Sequence, residues 1–332
     1  MIRNERQLKP GVVSCITLAV FTLSLSSVGR AAVTAYWNYN STTFPNTAAD
    51  AGLHPRLPFF SDPNGIGSHT VDPNNGNFDG GLVCTPSAAQ LWLPTVGQNN
   101  AKTVPGDEGT IEMWIAPTWN GTGQGGIGIS DGEGSVAGDR QYLFFIGETS
   151  VQSPGIQITV MDTGEPGKAE QVIVFWNDDA GGSVELSNFG LGSAKNWVSG
   201  QWHHVAFCWD FGTLRLFLDG TLVSAVPRPS SSDSAHDIDT GFFLFGHIHT
   251  VGVEQDIVAF RAWDGKADDV IIWDNCRYTA NFTPPGPLQA PATCQEAIDN
   301  GFGLKTDFNG DCAVDLVDFS LAAVNWLFNY AP

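Results

Sequence analysis

The sequence predicts an all-β protein: an antiparallel β-sandwich followed by a small helical tail. Three observations lead there. Charged residues are only 15% of the chain, while 38 glycines and 11 tryptophans are present, a composition of short strands and turns that gives long helices little support. The stretch Trp202–Val223, W-H-H-V-A-F-C-W-D-F-G-T-L-R-L-F-L-D-G-T-L-V, alternates apolar residues with others and breaks at Asp210-Phe211-Gly212 and Asp219-Gly220. That is the pattern of three consecutive antiparallel strands. Strand-like runs separated by Gly- and Asp-bearing loops flank it on both sides.

The central meander is the best specified part. Pairing Trp209 with Leu214 sets Phe207 against Leu216 and Val205 against Leu218. One face then holds Val205, Phe207, Trp209, Leu214, Leu216 and Leu218; the other holds the more mixed set His204, Cys208, Arg215 and Phe217. A one-residue slip would turn every side chain to the wrong face, so the register is set. Asp219-Gly220 suits a type I′ turn, whose two central residues need positive φ. Further strand-like runs are read at 81–85, 110–116, 141–146, 155–161 and 171–176 before the meander, and at 241–245, 257–263 and 270–273 after it.

The chain divides as follows. Arg3, Arg6 and Lys9 precede an apolar run, Val12 to Leu25, and small residues follow, so residues 1–35 read as an export signal. Cleavage after Ala31 and after Ala35 fit equally. Most of the apolar run follows Cys15 instead of preceding it, which excludes lipidation, and no later segment could span a bilayer. Residues 36–78, rich in Pro, Asn, Gly and Asp, read as an irregular lead-in, and 79–283 as the sandwich. A Pro-rich linker occupies 284–291, and 292–332 form the tail. The chain is expected to be secreted, extracellular or on the surface of a bacterium.

The stretch W-H-H-V-A with L-R-L-F-L-D-G-T-L-V, the run Gly109–Pro117 and the run Asp264–Asp274 with its acidic pair resemble, in that order, a laminin-G-like, concanavalin A-type jelly roll. The resemblance implies fold more than function, because this fold carries lectins, glycosidases, adhesion modules and spacers. It implies that the first and last strands are neighbours, which makes Cys84 and Cys276 a candidate bridge with Cys208 left as a buried thiol. It also implies a structural role for His203 and His204, and hydrogen-bonding roles at the start of the last strand for Asp268 and Asp269.

The tail carries the sharpest chemical signal. Asp307, Asn309, Asp311, Asp315 and Asp318 stand at positions 1, 3, 5, 9 and 12 of a loop, with the Ala313 carbonyl at position 7. A hard cation needs six or more oxygens at once, so Ca2+ is the implied cofactor. Leu316, Phe319, Ala322, Ala323, Trp326 and Leu327 then form the stripe of an amphipathic helix. Cys312 replaces the usual glycine at position 6, and Asp replaces Glu at position 12. Loop and helix together resemble one repeat of a dockerin, an EF-hand-like unit, and imply a cohesin-like or cell-surface protein partner. The preceding half has no second oxygen series; a Cys294–Cys312 bridge could staple it, at about 3 kcal/mol.

Function reads as binding. The 15 basic against 35 acidic residues give a net charge of −20, which repels nucleic acid and anionic surfaces. Laminarinase-type jelly rolls carry a Glu-x-Asp-x-(x)-Glu run on one strand, and none exists here. Glu112, Glu148, Glu165, Glu170 and Glu185 read as scattered, solvated charges. His203 and His204 point to opposite faces of a strand and cannot share a metal; His247 and His249 share a face but lack a carboxylate or Cys pattern. Trp92, Trp119 and Trp176 are candidate sugar-stacking rings whose alternative is to cover the core edge, and Asp131, Glu133 and Asp139 are a candidate second calcium loop. A secreted, non-catalytic carbohydrate-binding or adhesion protein with a polysaccharide or glycan ligand is the leading expectation. A structural or interaction protein docked through its tail and a polysaccharide-degrading enzyme with an atypical site are the alternatives.

Overall fold

The structure is a computed structural model that describes residues 33–37, 39, 59–61, 70–72, 74–84, 90–93, 103–124, 140–147, 155–161, 171–177, 183–187, 194–229, 242–251, 256–260, 262–286 and 319–320. The chain divides into two units, residues 1–30 and 31–332, and all described residues lie in the second.

Among the described residues, seventeen strands follow one another. They are β1 (Val33–Trp37), β2 (Phe59–Ser61), β3 (Thr70–Asp72), β4 (Gly81–Cys84), β5 (Gln90–Leu93), β6 (Gly109–Pro117), β7 (Arg140–Gly147), β8 (Gly155–Met161), β9 (Gln171–Asn177), β10 (Ser183–Ser187), β11 (His203–Trp209), β12 (Thr213–Leu218), β13 (Thr221–Pro227), β14 (Phe242–Leu244), β15 (His247–Val251), β16 (Asp256–Phe260) and β17 (Gly265–Trp273). One sheet has the order β13-β12-β11-β6-β17-β4-β3, with β1 also on β17. The second has the order β10-β9-β8-β7-β14-β5-β2, and β15 and β16 form a separate hairpin.

The two sheets share one core. Val205, Phe207, Trp209, Leu214 and Leu216 from the first meet Ile156, Ile158, Val172, Val174 and Trp176 from the second in a single buried cluster. The Trp176 ring centroid lies 6.0 Å from that of Phe207 and 6.0 Å from that of Trp209. Arg228 closes one end of the core, its guanidinium 5.0 Å over the Trp176 ring and its N–H groups donating to the carbonyls of Gly106, Asp107 and Asp210.

The meander follows its predicted register: Trp209 opposes Leu214, Phe207 opposes Leu216 and Val205 opposes Leu218. Asp219 and Gly220 have φ of 49° and 75°, as a type I′ turn requires. Other elements differ from expectation. β1 straddles the boundary expected between leader and lead-in, pairing Trp37 with Val270 and Val33 with Trp273. β2 and β3 place parts of the lead-in on sheet edges; three-residue strands are too short to show a period. The run expected at 257–263 ends earlier, as β16, and pairs with β15 outside both main sheets. The supposedly mixed face of the meander is buried: His204, Cys208 and Phe217 are 1%, 0% and 0% exposed. Residues 274–286 run back over it, with Tyr278 and Phe282 packed on the Ala206–Cys208–Phe217 cluster.

Candidate ligand-binding face

Alternation drives Glu112 and His204 beneath the 274–286 segment, where they meet each other. Glu112, opposite Ala206 on β11 and Ile271 on β17, is fully buried. Its Oε1 accepts from Trp273 Nε1 at 2.6 Å and its Oε2 from the Tyr278 hydroxyl at 2.8 Å, with His204 Nε2 at 3.3 Å from Oε2. Burial pushes this carboxyl up, but the hydrogen bond and charge of His204, with Arg277 and Tyr278, hold it below the usual range. Glu112 is therefore a buried anchor and not the solvated charge expected. His203 faces the other way. It stacks on Trp197 at 4.4 Å, and its Nδ1 lies 2.9 Å from Asp219, whose carboxylate also accepts from the His204 backbone N–H. The W-H-H and L-D-G motifs thus hold each other.

The acidic pair lies in a β-bulge between Asp268 and Ile271, with Asp269 at φ 44°. Asp268 accepts from the backbone N–H groups of Asn77, Phe78 and Asp269, and Asp269 accepts from the Tyr36 hydroxyl. These bonds tie β1 and the 74–80 loop to the start of β17. Burial, opposed by the three N–H donors, raises Asp268 to about 6; burial together with the Asp268 charge raises Asp269 to about 7. A carboxyl with a raised folded pKa binds protons more tightly when folded. The stability it contributes is complete below about pH 4 and lost as pH climbs to about 7. Between pH 5 and pH 8 the pair is expected to lower the unfolding free energy by roughly 1–3 kcal/mol. Asp269→Asn should flatten that slope; urea titrations showing the same slope in variant and wild type would refute the assignment.

Among the described residues, the surface best suited to a ligand is the outward face of the seven-stranded sheet. Pairing places Glu185, Phe175, Gln157 and Phe145 in one cross-strand row, continued by positions Phe243, Trp92 and Phe59. The neighbouring row, Leu186, Val174, Ile158 and Phe144, faces the core. Along the row, Phe145 is 2% exposed and Gln157 8%, Phe175 is partly exposed and Glu185 is exposed. The face therefore opens toward β9 and β10. Beside it Gly155 opposes Gly147 across the strands.

Trp119 and Trp176 do not offer stacking faces: they are 8% and 0% exposed and belong to the core. Trp176 shares the parity of Val172 and Val174, whereas Phe175 points outward. The alternation of Gln157 and Thr159 with Ile156, Ile158 and Val160 is the sequence signal that marks this outward face. Trp92 stands in the row by register. The Cys84–Cys276 bridge is not formed: Cys84 lies in the inter-sheet core and Cys276 on the opposite side of the eight-stranded sheet, against Cys208. The calcium-loop residues Asp307, Asn309, Asp311, Ala313, Asp315 and Asp318, the loop Asp131, Glu133 and Asp139, and Cys294 and Cys312 lie outside the described residues. In the tail, Phe319 and Ser320 are helical, with Phe319 71% exposed. Among the described residues no group of three or more His, Cys, Asp and Glu side chains is placed to hold a metal. No described helix is long and apolar enough to cross a membrane.

Two antiparallel sheets over one core, with an aromatic and polar row on one outer face, define a jelly-roll β-sandwich. Residues 95–281 match the family model of the concanavalin A-like lectin/glucanases superfamily, and the chain belongs to that superfamily. No curated protein matches the chain. Among solved structures, domain 4 of AbnA, a GH43 extracellular arabinanase from Geobacillus stearothermophilus solved with arabinotriose, is similar at 15% identity. That alignment covers 74% of this chain and 94% of that one, with a TM-score of 0.47. The binding domain of Paraclostridial Mosquitocidal Protein 1 is 9% identical over 74% of this chain and 50% of that chain, with a TM-score of 0.48. The CBM40 of Ruminococcus gnavus IT-sialidase, bound to alpha2,3 sialyllactose, is 14% identical over 52% of this chain and 79% of that chain, with a TM-score of 0.36.

Proposed function

We propose that the protein is an exported, non-catalytic carbohydrate-binding protein whose polysaccharide or glycan ligand lies across the outward face of the seven-stranded sheet, over Phe175. The observation that carries this is the cross-strand row Glu185–Phe175–Gln157, which becomes exposed toward β9 and β10. A sugar ring has an apolar C–H face and a rim of hydroxyls. The partly exposed Phe175 ring matches the first, and the exposed Glu185 carboxylate matches the second. Membership of a superfamily named for lectins and glucanases supports the ligand class. The burial of Glu112 and its three partners support a binding role over a catalytic one. A net charge of −20 favours neutral or basic glycans over anionic ones. The leader is cut after Ala31 in this reading, because cutting after Ala35 would remove Val33–Ala35 from β1. Calcium held by Asp307, Asn309, Asp311, Ala313, Asp315 and Asp318 stabilises the tail, which docks to a cohesin-like or cell-surface protein.

The test is retention of the mature protein on insoluble polysaccharides, with calcium and with a chelator, and with soluble sugar assayed. Retention should survive the chelator, because the proposed face uses no metal. Phe175→Ala should weaken it about ten-fold, ~1.4 kcal/mol, without moving the unfolding midpoint. Retention on no polysaccharide would move the assignment to a protein-binding module, and release of sugar would make it an enzyme.

A further inference from the structure

The segment 274–286 is held over the outward face of the eight-stranded sheet by bonds along its length. Phe282 N–H donates to the Gly220 carbonyl at 2.9 Å, the Leu222 N–H donates to Asn281 Oδ1 at 2.9 Å, and Trp114 Nε1 donates to the Pro285 carbonyl at 3.3 Å. Tyr278 stacks on Phe282 at 3.5 Å, and both meet the edge of Phe217. Beneath them two cysteines come together from distant parts of the chain. The thiols of Cys208, on β11, and Cys276, three residues beyond β17, are free in the structure and belong to one packed cluster. Cys208 Sγ also accepts from Thr110 Oγ1 at 3.3 Å, and Cys276 Sγ from Arg215 Nη1 at 3.4 Å. Arg215 is itself fixed by Asp210 at 2.6 Å.

We propose that Cys208 and Cys276 form a disulfide that clasps the 274–286 segment to the sheet. The two thiols are not equivalent, and this sets the order of steps. Cys276 is partly exposed; the neighbouring Cys208 thiol lowers its pKa, burial opposes this, and Arg215 adds to the lowering. Cys208 is buried, and burial pushes its thiol up. The Cys276 thiolate is therefore the nucleophile toward an external disulfide, either a small-molecule disulfide or the oxidised centre of a thiol–disulfide oxidoreductase. Its sulfur bonds to one sulfur of that disulfide and expels the other as a thiolate. That thiolate takes the Cys208 proton, the Cys208 sulfur then displaces the second thiolate from Cys276, and the second thiolate takes up through solvent the proton that Cys276 released on ionising. Two protein thiols and one external disulfide become one protein disulfide and two external thiols, so electrons and protons balance. The remaining described cysteine, Cys84, is separated from the pair by the sheet itself.

The experiment takes the full chain refolded in a glutathione/glutathione-disulfide buffer, alkylates it without reduction under denaturing conditions, and maps its peptides by mass spectrometry. A peptide containing Cys208 linked to one containing Cys276, lost on reduction, is expected. Both cysteines recovered alkylated, or either one linked to Cys84, would overturn the proposal. Hydrogen exchange then tests the clasp itself. On mild reduction, amides of 275–286 should exchange at least ten-fold faster while those of β8 are unchanged. Unchanged exchange in 275–286 would show that no bond between these cysteines holds the segment. Cys84→Ser should leave both results as in the wild type; loss of the linked peptide in that variant would equally overturn the pairing.

Discussion

Glu112→Ala is expected to lower the unfolding free energy by about 3–5 kcal/mol, because it strands the buried partners of a buried charge. In the wild type the carboxylate takes the Trp273 indole N–H and the Tyr278 hydroxyl, with His204 against the same Oε2. Those donors come from β17, from the covering segment and from β11, so one side chain joins three elements. Without it, Trp273 and Tyr278 lose a buried acceptor, and His204, whose Nδ1 already lacks a partner, loses the carboxylate against its Nε2. Glu112→Gln keeps the shape and one carbonyl oxygen and should cost less, about 1–2 kcal/mol. The pH dependence separates this group from the acidic pair. The Glu112 carboxyl lies below its usual range in the fold, so its contribution is present above about pH 4.3 and lost as pH falls further. Asp268 and Asp269 change in the opposite sense. Guanidinium unfolding followed by tryptophan fluorescence measures both; a Glu112→Ala loss under 1 kcal/mol would show that the network adds little.

Gly220→Ala is the second change expected to be severe, at about 3 kcal/mol or more. Gly220 sits at φ 75°, and a Cβ there would lie 2.0 Å from the Phe282 carbonyl oxygen and 2.9 Å from Pro284 Cδ. The nearest of these is backbone and cannot rotate away. The substitution therefore combines the cost of positive φ with displacement of the strap that covers Glu112 and Cys208. Gly200 provides the control. Its φ is 78°, but nothing lies within 4 Å of a Cβ there, so Gly200→Ala should cost only the backbone term, about 1 kcal/mol. Thermal unfolding of the two variants side by side is the measurement, and equal losses would show that contact with the 282–284 backbone is unimportant.

Much of the sandwich was legible because its signals are local. Alternation and two turn motifs determined the register of β11 with β12, and the chemistry of Asp-Gly determined the turn at Gly220, since each depends on residues within a few positions of one another. The sequence also excluded a laminarinase-type carboxylate row. It did not reveal that Glu112 is buried. On one strand Glu112 is a polar residue among apolar ones, and only the return of 274–286 over that face takes it from water. Trp176, read as a candidate stacking ring or a cover of the core edge, lies in the core for a related reason: adjacent aromatic residues on a strand point to opposite faces, and which face is the core is decided by the partner sheet. The pairing of Cys208 with Cys276 in place of Cys84 is likewise tertiary, because the eight-stranded sheet stands between two thiols that strand order alone makes neighbours. The sequence by itself determined the all-β class, the central meander and its turn. The tertiary structure decided which face of each sheet is covered, because burial depends on contacts between residues far apart in the chain, and no local period records them.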